Sequence, residues 1–166
     1  MKAYMALSCK TGTYSKALDK LLDLNLSKKE IFLLLGPFDI LVQFRELKSL
    51  KEFVEKWFNP IRMMDAEGSL IEKTLTLIAI SEGPSYVEEP FAFVFLNTSP
   101  AFLEKVQQRL MTLPKVLSAD TVFGPYDVIC AVKVEDTVEL ARFVFQIQRE
   151  VPGIQGSMAA IVASLY

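Results

Sequence analysis

The residues best suited to chemistry in this chain are two aspartates, each set in the same short phrase. These are Gly36-Pro37-Phe38-Asp39-Ile40 and Gly124-Pro125-Tyr126-Asp127-Val128, 88 positions apart. A carboxylate can relay a proton, hold a cation or accept backbone N–H groups, and two at close range shift each other's pKa enough for acid–base work. Nothing in the sequence places Asp39 near Asp127. The chain has no histidine, so Ser–His and Cys–His nucleophile pairs, imidazole metal ligands and histidine-ligated haem are all excluded. Thr11-Gly12-Thr13 is a turn and lacks the spacing of a phosphate-cradling loop. Cys9 and Cys130 fall in or beside apolar runs without metal-type partners and read as small buried hydrophobes. No catalytic residue, metal or cofactor is expected, and the chain reads as a non-enzyme.

Read as a turn, the repeated phrase closes a hairpin. Proline fixes φ at the second turn position, glycine supplies an unusual dihedral, and aspartate bonds nearby backbone amides. Its recurrence at long spacing in a chain of 166 residues predicts two copies of one module. A shift of 88 lays Ala3–Leu7 on Phe91–Phe95, with no gap needed up to about Arg45. Beyond that the register drifts, so that Leu50, Phe53 and Val54 pair with Leu140, Phe143 and Val144. Ile71–Ile78 resembles Ile154–Ile161.

Hydrophobic periodicity fills in the elements. In the first copy it predicts a strand over 3–9 and a helix over 14–25 that Thr13 or Ser15 could cap. A hairpin follows over 30–35 and 38–44, then a helix over 48–58 that Asn59-Pro60 should end, and a strand over 70–80. The second copy predicts strand 91–96, helix 100–112, hairpin 116–123 and 126–134, helix 137–150 and strand 157–165. Both copies are therefore strand-helix-strand-strand-helix-strand, an α+β, ferredoxin-like arrangement. Residues 1–83 form the first repeat, 91–166 the second, and the Gly/Pro-marked stretch 84–90 the linker. Ile31–Leu35, Ile40–Val42 and Phe91–Leu96 are apolar at both parities, which implies burial of both sheet faces. Two antiparallel sheets packed together, with helices outside, would satisfy this as a pseudo-dimer of the dimeric α/β-barrel type.

Composition sets outer limits. The chain is 51% apolar and 23% charged, enough to fill a substantial core without any signature of disorder. Residues 1–83 hold 12 Lys/Arg against 11 Asp/Glu, and residues 84–166 hold 6 against 9. With no basic face to track a phosphate backbone, direct nucleic-acid binding is not expected. No apolar run is long enough to cross a bilayer and the first residues read as a strand, so a cytoplasmic protein without membrane contact is expected.

Several segments carry a family resemblance. Gly124–Ile129, the helix with Leu140 and Phe143, Val151-Pro152-Gly153-Ile154 and Ser157–Val162 resemble the effector domain of the leucine-responsive regulator/AsnC family. That module is also called the RAM domain. The resemblance covers nearly all of residues 91–163 and, more weakly, residues 3–80. It implies a sheet-packed dimeric barrel, further assembly into homo-oligomers, and an amino acid or related small effector bound near the hairpin turn and the loop before the last strand. Carried over by position, the ligand-binding residues are Gly124, Tyr126, Asp127 and Ser157 in the second copy and Gly36, Phe38, Asp39 and Thr74 in the first. A carboxylate suits an ammonium group and turn amides suit a carboxylate, so a zwitterionic ligand is chemically sensible. The copies differ around these positions, in the Met-rich loop Ile61–Gly68 and in Ser157 and Ala159 against Thr74 and Thr76. The family's usual N-terminal helix-turn-helix has no place before the first strand. Regulation would therefore run through a partner, such as a hetero-oligomer with a DNA-binding relative. Two other readings stay open: an adaptor or oligomerisation module with a degenerate pocket, and a small monooxygenase or isomerase of the dimeric α/β-barrel group.

Overall fold

Short apolar runs bounded by turn residues become strands, and the stripes between them become helices that cover one face of each sheet. The computed structural model describes residues 1–163. It contains β1 (Ala3–Cys9), α1 (Tyr14–Asp23), β2 (Ile31–Leu35), β3 (Ile40–Phe44), α2 (Leu50–Phe53), a π-helical turn (Val54–Phe58), α3 (Asn59–Met63) and β4 (Ile71–Ser81). There follow β5 (Ala92–Thr98), a 3-10 turn (Pro100–Phe102), α4 (Leu103–Met111), β6 (Val116–Phe123), β7 (Val128–Val132), α5 (Thr137–Glu150) and β8 (Ile154–Ala163). Backbone packing divides the described residues into two units, Met1–Ile78 together with Ala163, and Ala79–Val162.

Within the first unit the antiparallel strand order is β4-β1-β3-β2, with Ala6 opposite both Leu41 and Leu75. Within the second it is β8-β5-β7-β6, with Phe95 opposite both Ile129 and Met158. Each is the order of a ferredoxin-like split βαβ unit. The helices of the first unit pack on Ala3, Met5, Leu7, Ile40, Val42 and Phe44, and those of the second on Ala92, Val94, Leu96, Val128, Cys130 and Val132. In the first core Phe44 meets Phe53 edge-on at 5.3 Å and Trp57 at 5.5 Å between ring centroids, geometry that aromatic quadrupoles favour. Tyr4, Leu41, Gln43, Phe93, Phe95 and Ile129, at the alternate parity, are also buried. Both faces of the inner strands are dry, as their unbroken apolar runs predicted.

The structure corrects several boundaries. Asn59-Pro60 does not end the helix. The backbone N–H of Asn59 donates to Val54, five residues back, and Pro60 enters the first turn of α3. A residue without an N–H is tolerated where the ladder is already widened and a new first turn begins. Beyond the wider turn Ile61 is buried, while Leu50, the first residue of α2, is 54% exposed. Thr13 gives α1 no side-chain cap; its hydroxyl bonds the carbonyls of Lys10 and Leu70 instead. Helix α1 ends at Asp23 and not at 25. Strand β8 begins at Ile154, earlier than the predicted 157, and the predicted residues 164–165 lie outside the described residues.

The 88-residue register also needs a gap. Asp39 N–H donates to Leu7 and Asp127 N–H to Leu96, so Leu7 matches Leu96 and not Phe95. The offset is 89 in the first strands and 88 in the hairpins. A one-residue slip moves every side chain to the other face. The slip was invisible because both strands are apolar at both parities.

Two glycines make a paired stability test. Gly12 has φ +79 with nothing within 4 Å of an added Cβ, whereas Gly153 has φ +99 and its Cβ would fall 2.3 Å from Phe102 Cβ. Gly12→Ala should cost about 1 kcal/mol from the left-handed backbone alone. Gly153→Ala should cost clearly more, measured by urea unfolding; equal costs would show that the Phe102 contact relaxes freely.

Candidate functional site

Each hairpin aspartate is fixed by the strand beside it. Asp127 donates its backbone N–H to Leu96 O at 2.9 Å, and its Oδ2 accepts the N–H of Thr98 at 2.9 Å. Asp39 donates to Leu7 O at 2.9 Å and its Oδ2 accepts from the N–H of Cys9 at 2.7 Å. These contacts carry the ladder one step past the end of β7 or β3. They do so where the pairing of the central strand on its other side is bulged, between Asn97 and Thr98 or between Ser8 and Cys9. The hairpin strand has already turned away at this point, and the carboxylate takes the N–H that it leaves without a ladder partner. Both aspartates are half-buried, and Oδ1 of each accepts no hydrogen bond among the described residues. The turns are alike as well: Gly36 has φ 154 and Gly124 φ 152, values that a side chain disfavours.

The eight sequence-derived residues fall into two sets, one per unit. In the second, Val128, Leu96 and Ser157 lie in a row across three strands. Asp127 precedes that row, so Asp127 and Ser157 are roughly two strand spacings, about 10 Å, apart. Tyr126 packs on Phe95 with ring centroids 5.3 Å apart, and its hydroxyl donates to Met158 Sδ at 3.5 Å. Gly124 is exposed at the tip. Ser157 Oγ accepts from Gln148 Nε2 of α5. In the first unit Ile40, Leu7 and Thr74 form the matching row. Phe38 is buried, Gly36 and Thr74 are exposed, and the hydroxyl of Ser8 donates to Pro37 O at 3.0 Å. Asp39 and Asp127 belong to different units, and each is engaged within its own.

The loops before the last strands differ. In the first unit Asp65 accepts the backbone N–H groups of Ser69, Leu70 and Ile71 at 2.8–3.0 Å. Desolvation would raise its carboxyl, but these N–H donors, with Lys10 nearby, outweigh that and hold it below the ordinary aspartate range. Lys20 Nζ donates to Met64 O at 2.7 Å, and Lys10 Nζ donates to Gly68 O. Burial, with Asp39 and then Asp65 close by, pushes the Cys9 thiol up to about 11, which leaves it a poor nucleophile at neutral pH. Burial also pushes Cys130 upward. Among the described residues there is no cluster of three or more Cys, Asp or Glu suited to a metal ion, and no helix is long and apolar enough to cross a membrane.

Gln148, Met158, Leu35 and Phe123 escaped the sequence reading. Gln148 and Met158 touch site residues only through the fold, one from a helix and one from the adjacent strand position. Leu35 and Phe123 left a signal: each is a large apolar residue directly before a turn glycine. They are 64% and 74% exposed, where an isolated hairpin tip would be polar.

Replacing Asp127 tests the clamp. Asp127→Ala leaves the Thr98 N–H without its acceptor and should cost about 1–3 kcal/mol in chemical denaturation. Asp127→Asn keeps a side-chain oxygen for that N–H and should lose much less; equal losses would mean that the charge, and not the acceptor, holds the hairpin.

The family comparison falls on the second unit. Residues 91–166 match the family model of the Lrp/AsnC ligand binding domain. Over 77 residues the chain is 31% identical to an uncharacterized HTH-type transcriptional regulator of Pyrococcus abyssi, a match covering 46% of this chain and 49% of that protein. The match thus spans about half the length of that relative. Among solved structures, the siroheme decarboxylase NirDL, in co-complex with an iron-uroporphyrin III analogue, superimposes with a TM-score of 0.66 at 8% identity, covering 99% of this chain and 71% of that one. A major regulator of staphylococcal pathogenesis gives 0.52 at 9% identity with full coverage of both chains. At such identities the likeness concerns the fold alone, and a fold shared by a decarboxylase and a regulator does not choose between their activities.

Proposed function

From the match of residues 91–166 to the Lrp/AsnC ligand binding domain, we propose that the chain is a tandem effector-binding regulatory module. It binds an amino acid or a related zwitterion at its hairpin ends and acts on transcription or metabolism through a partner. The observation that carries this reading is the hairpin of the matched segment: an exposed glycine tip, an aromatic at 126, and an aspartate whose Oδ1 is not used by the backbone. Oδ1 of Asp127 would take the ligand ammonium, the turn amides around Gly124 its carboxylate, and Tyr126 and Met158 its apolar side chain. Ser157 would contact the ligand by releasing Gln148. In the first unit Gly36, Phe38, Asp39 and Thr74 hold the corresponding places.

Duplication of one module is part of the reading. The two units share their element order, their strand order, the turn glycine conformation and the carboxylate clamp on a bulged central strand. The exposed Leu35 and Phe123 support assembly through the hairpin tips, with another copy or with a DNA-binding relative, since large apolar side chains at a tip gain by being covered.

Thermal-shift measurements against the amino acids test the ligand. One or more should raise the melting temperature, as any ligand selective for the native state must. Asp127→Asn should abolish that response while keeping the unliganded melting point near wild type, and Asp39→Asn reports on the first unit in the same way. If no amino acid stabilises the protein, or if the response survives in both variants, the site is misplaced.

Assembly is tested separately. Phe123→Asp and Leu35→Asp place a charge at exposed positions and should leave each unit folded. They should lower the mass measured by light scattering if the tips join copies; an unchanged mass in both variants removes the tips from the interface.

A further inference from the structure

A concave site of the second unit lies between α4 and the loop before β8. Phe102, Lys105 and Arg109 lie along one side of the helix that begins at Pro100, and they face Val151 and Pro152 across a cleft of about 370 Å³. That volume falls in the range of small-molecule sites. Its walls are fixed. The N–H of Ser99 donates to Gly153 O at 2.8 Å, and the left-handed Gly153 lets the loop close to a distance from Phe102 that a Cβ would forbid.

Two cations face this cleft. Residues 84–166 carry an acidic excess, and two of their cations, Lys115 and Lys133, are paired with Glu139 and Glu88. Lys105 and Arg109 have no carboxylate within 4 Å among the described residues; Lys105 Nζ instead sits 5.8 Å from the centre of the Phe102 ring. Like charges four residues apart on a helix repel, and a bound anion reverses that penalty. In the first unit Lys20, which stands 89 residues before Arg109, donates to Met64 O.

We infer that this cleft binds a small molecule made of a carboxylate on an apolar body. Arg109 and Lys105 receive the carboxylate, with the planar guanidinium suited to a two-point contact. Phe102, Val151 and Pro152 receive the apolar part. The inference does not depend on an effector at the hairpin.

The test uses 3-phenylpropionate and its uncharged amide in amide-resolved NMR titrations of the full chain. The acid should give saturable shifts at Phe102, Lys105 and Gly153, and the amide should bind at least about tenfold more weakly, as expected for the loss of a charge-assisted contact. Lys105→Gln and Arg109→Gln, both at exposed positions, should each weaken the acid severalfold while the rest of the spectrum is unchanged. Asp127→Asn should have no effect. Equal binding of acid and amide, insensitivity to both glutamine variants, or no saturable shift at these residues would overturn the assignment. Shifts confined to Gly124–Val128 would also overturn it, because the carboxylate would then belong to the hairpin site.

Discussion

The aspartate that closes each hairpin holds the rest of its unit in register. A central strand bonded on both sides must keep two ladders in phase, and in both units one of those ladders breaks near the strand's end. Cys9 and Thr98 lie at that break, where β4 skips Glu72 and β8 skips Gln155. An N–H left unpaired there would destabilise the sheet by an amount comparable to a lost hydrogen bond. The aspartate takes that N–H on its carboxylate and gives its own N–H to the carbonyl two residues earlier. One residue thus pins the hairpin to the central strand at two points. A slip by one position would turn Leu96 and Val94 away from the helices and bring Phe95 toward them. The row Val128, Leu96, Ser157 exists because that slip is prevented.

Much of this architecture could be read from periodicity and punctuation. The hairpins, α5 and the order of elements followed from apolar spacing and from Gly-Pro turns. The dry second face of the sheets followed from strands without polar alternation. The misreadings have physical causes. Pro60 looked like a stop because an α-helical ladder needs its N–H, but a widened turn at Val54–Phe58 removes that need, and no residue type announces such a turn. The alignment of Ala3–Leu7 was one residue out because strands apolar at every position match equally well at neighbouring registers. The candidate site was legible as a set of residues and not as a set of roles. Asp39 and Asp127 read as ligands for an ammonium, yet one oxygen of each serves the backbone, and only the folded position of Cys9 and Thr98 reveals this.

The clamp also separates what folds the unit from what can select a ligand. It is common to both units, together with the turn glycine and the row of three strand residues. The surroundings are not. In the first unit Asp65, Lys10 and Lys20 are spent on backbone atoms of the loop before β4, and Thr74 stands exposed beyond it. In the second the loop is the short Val151–Gly153 turn, pressed on Phe102, and Ser157 is held by Gln148. A carboxylate needed in both places for the sheet is constrained whether or not either site binds anything, so its presence says little about which ligand enters.

Selectivity therefore has to come from side chains that the clamp does not use. In the second unit these are Tyr126, Met158, Ser157 and Gln148. They combine an aromatic face, a polarizable thioether and a serine–glutamine pair that can open to admit a polar group. The matching first-unit positions offer a buried Phe38 and an exposed Thr74, with no hydroxyl on the aromatic and no helix glutamine bonded to the strand hydroxyl among the described residues. Loss of the Tyr126 hydroxyl and of the Gln148 contact removes two of the polar groups that could orient a small zwitterion. If the proposed sites bind the same small molecule, two sites built on one clamp but furnished so differently are expected to differ in affinity, with the second unit offering more polar groups to orient it.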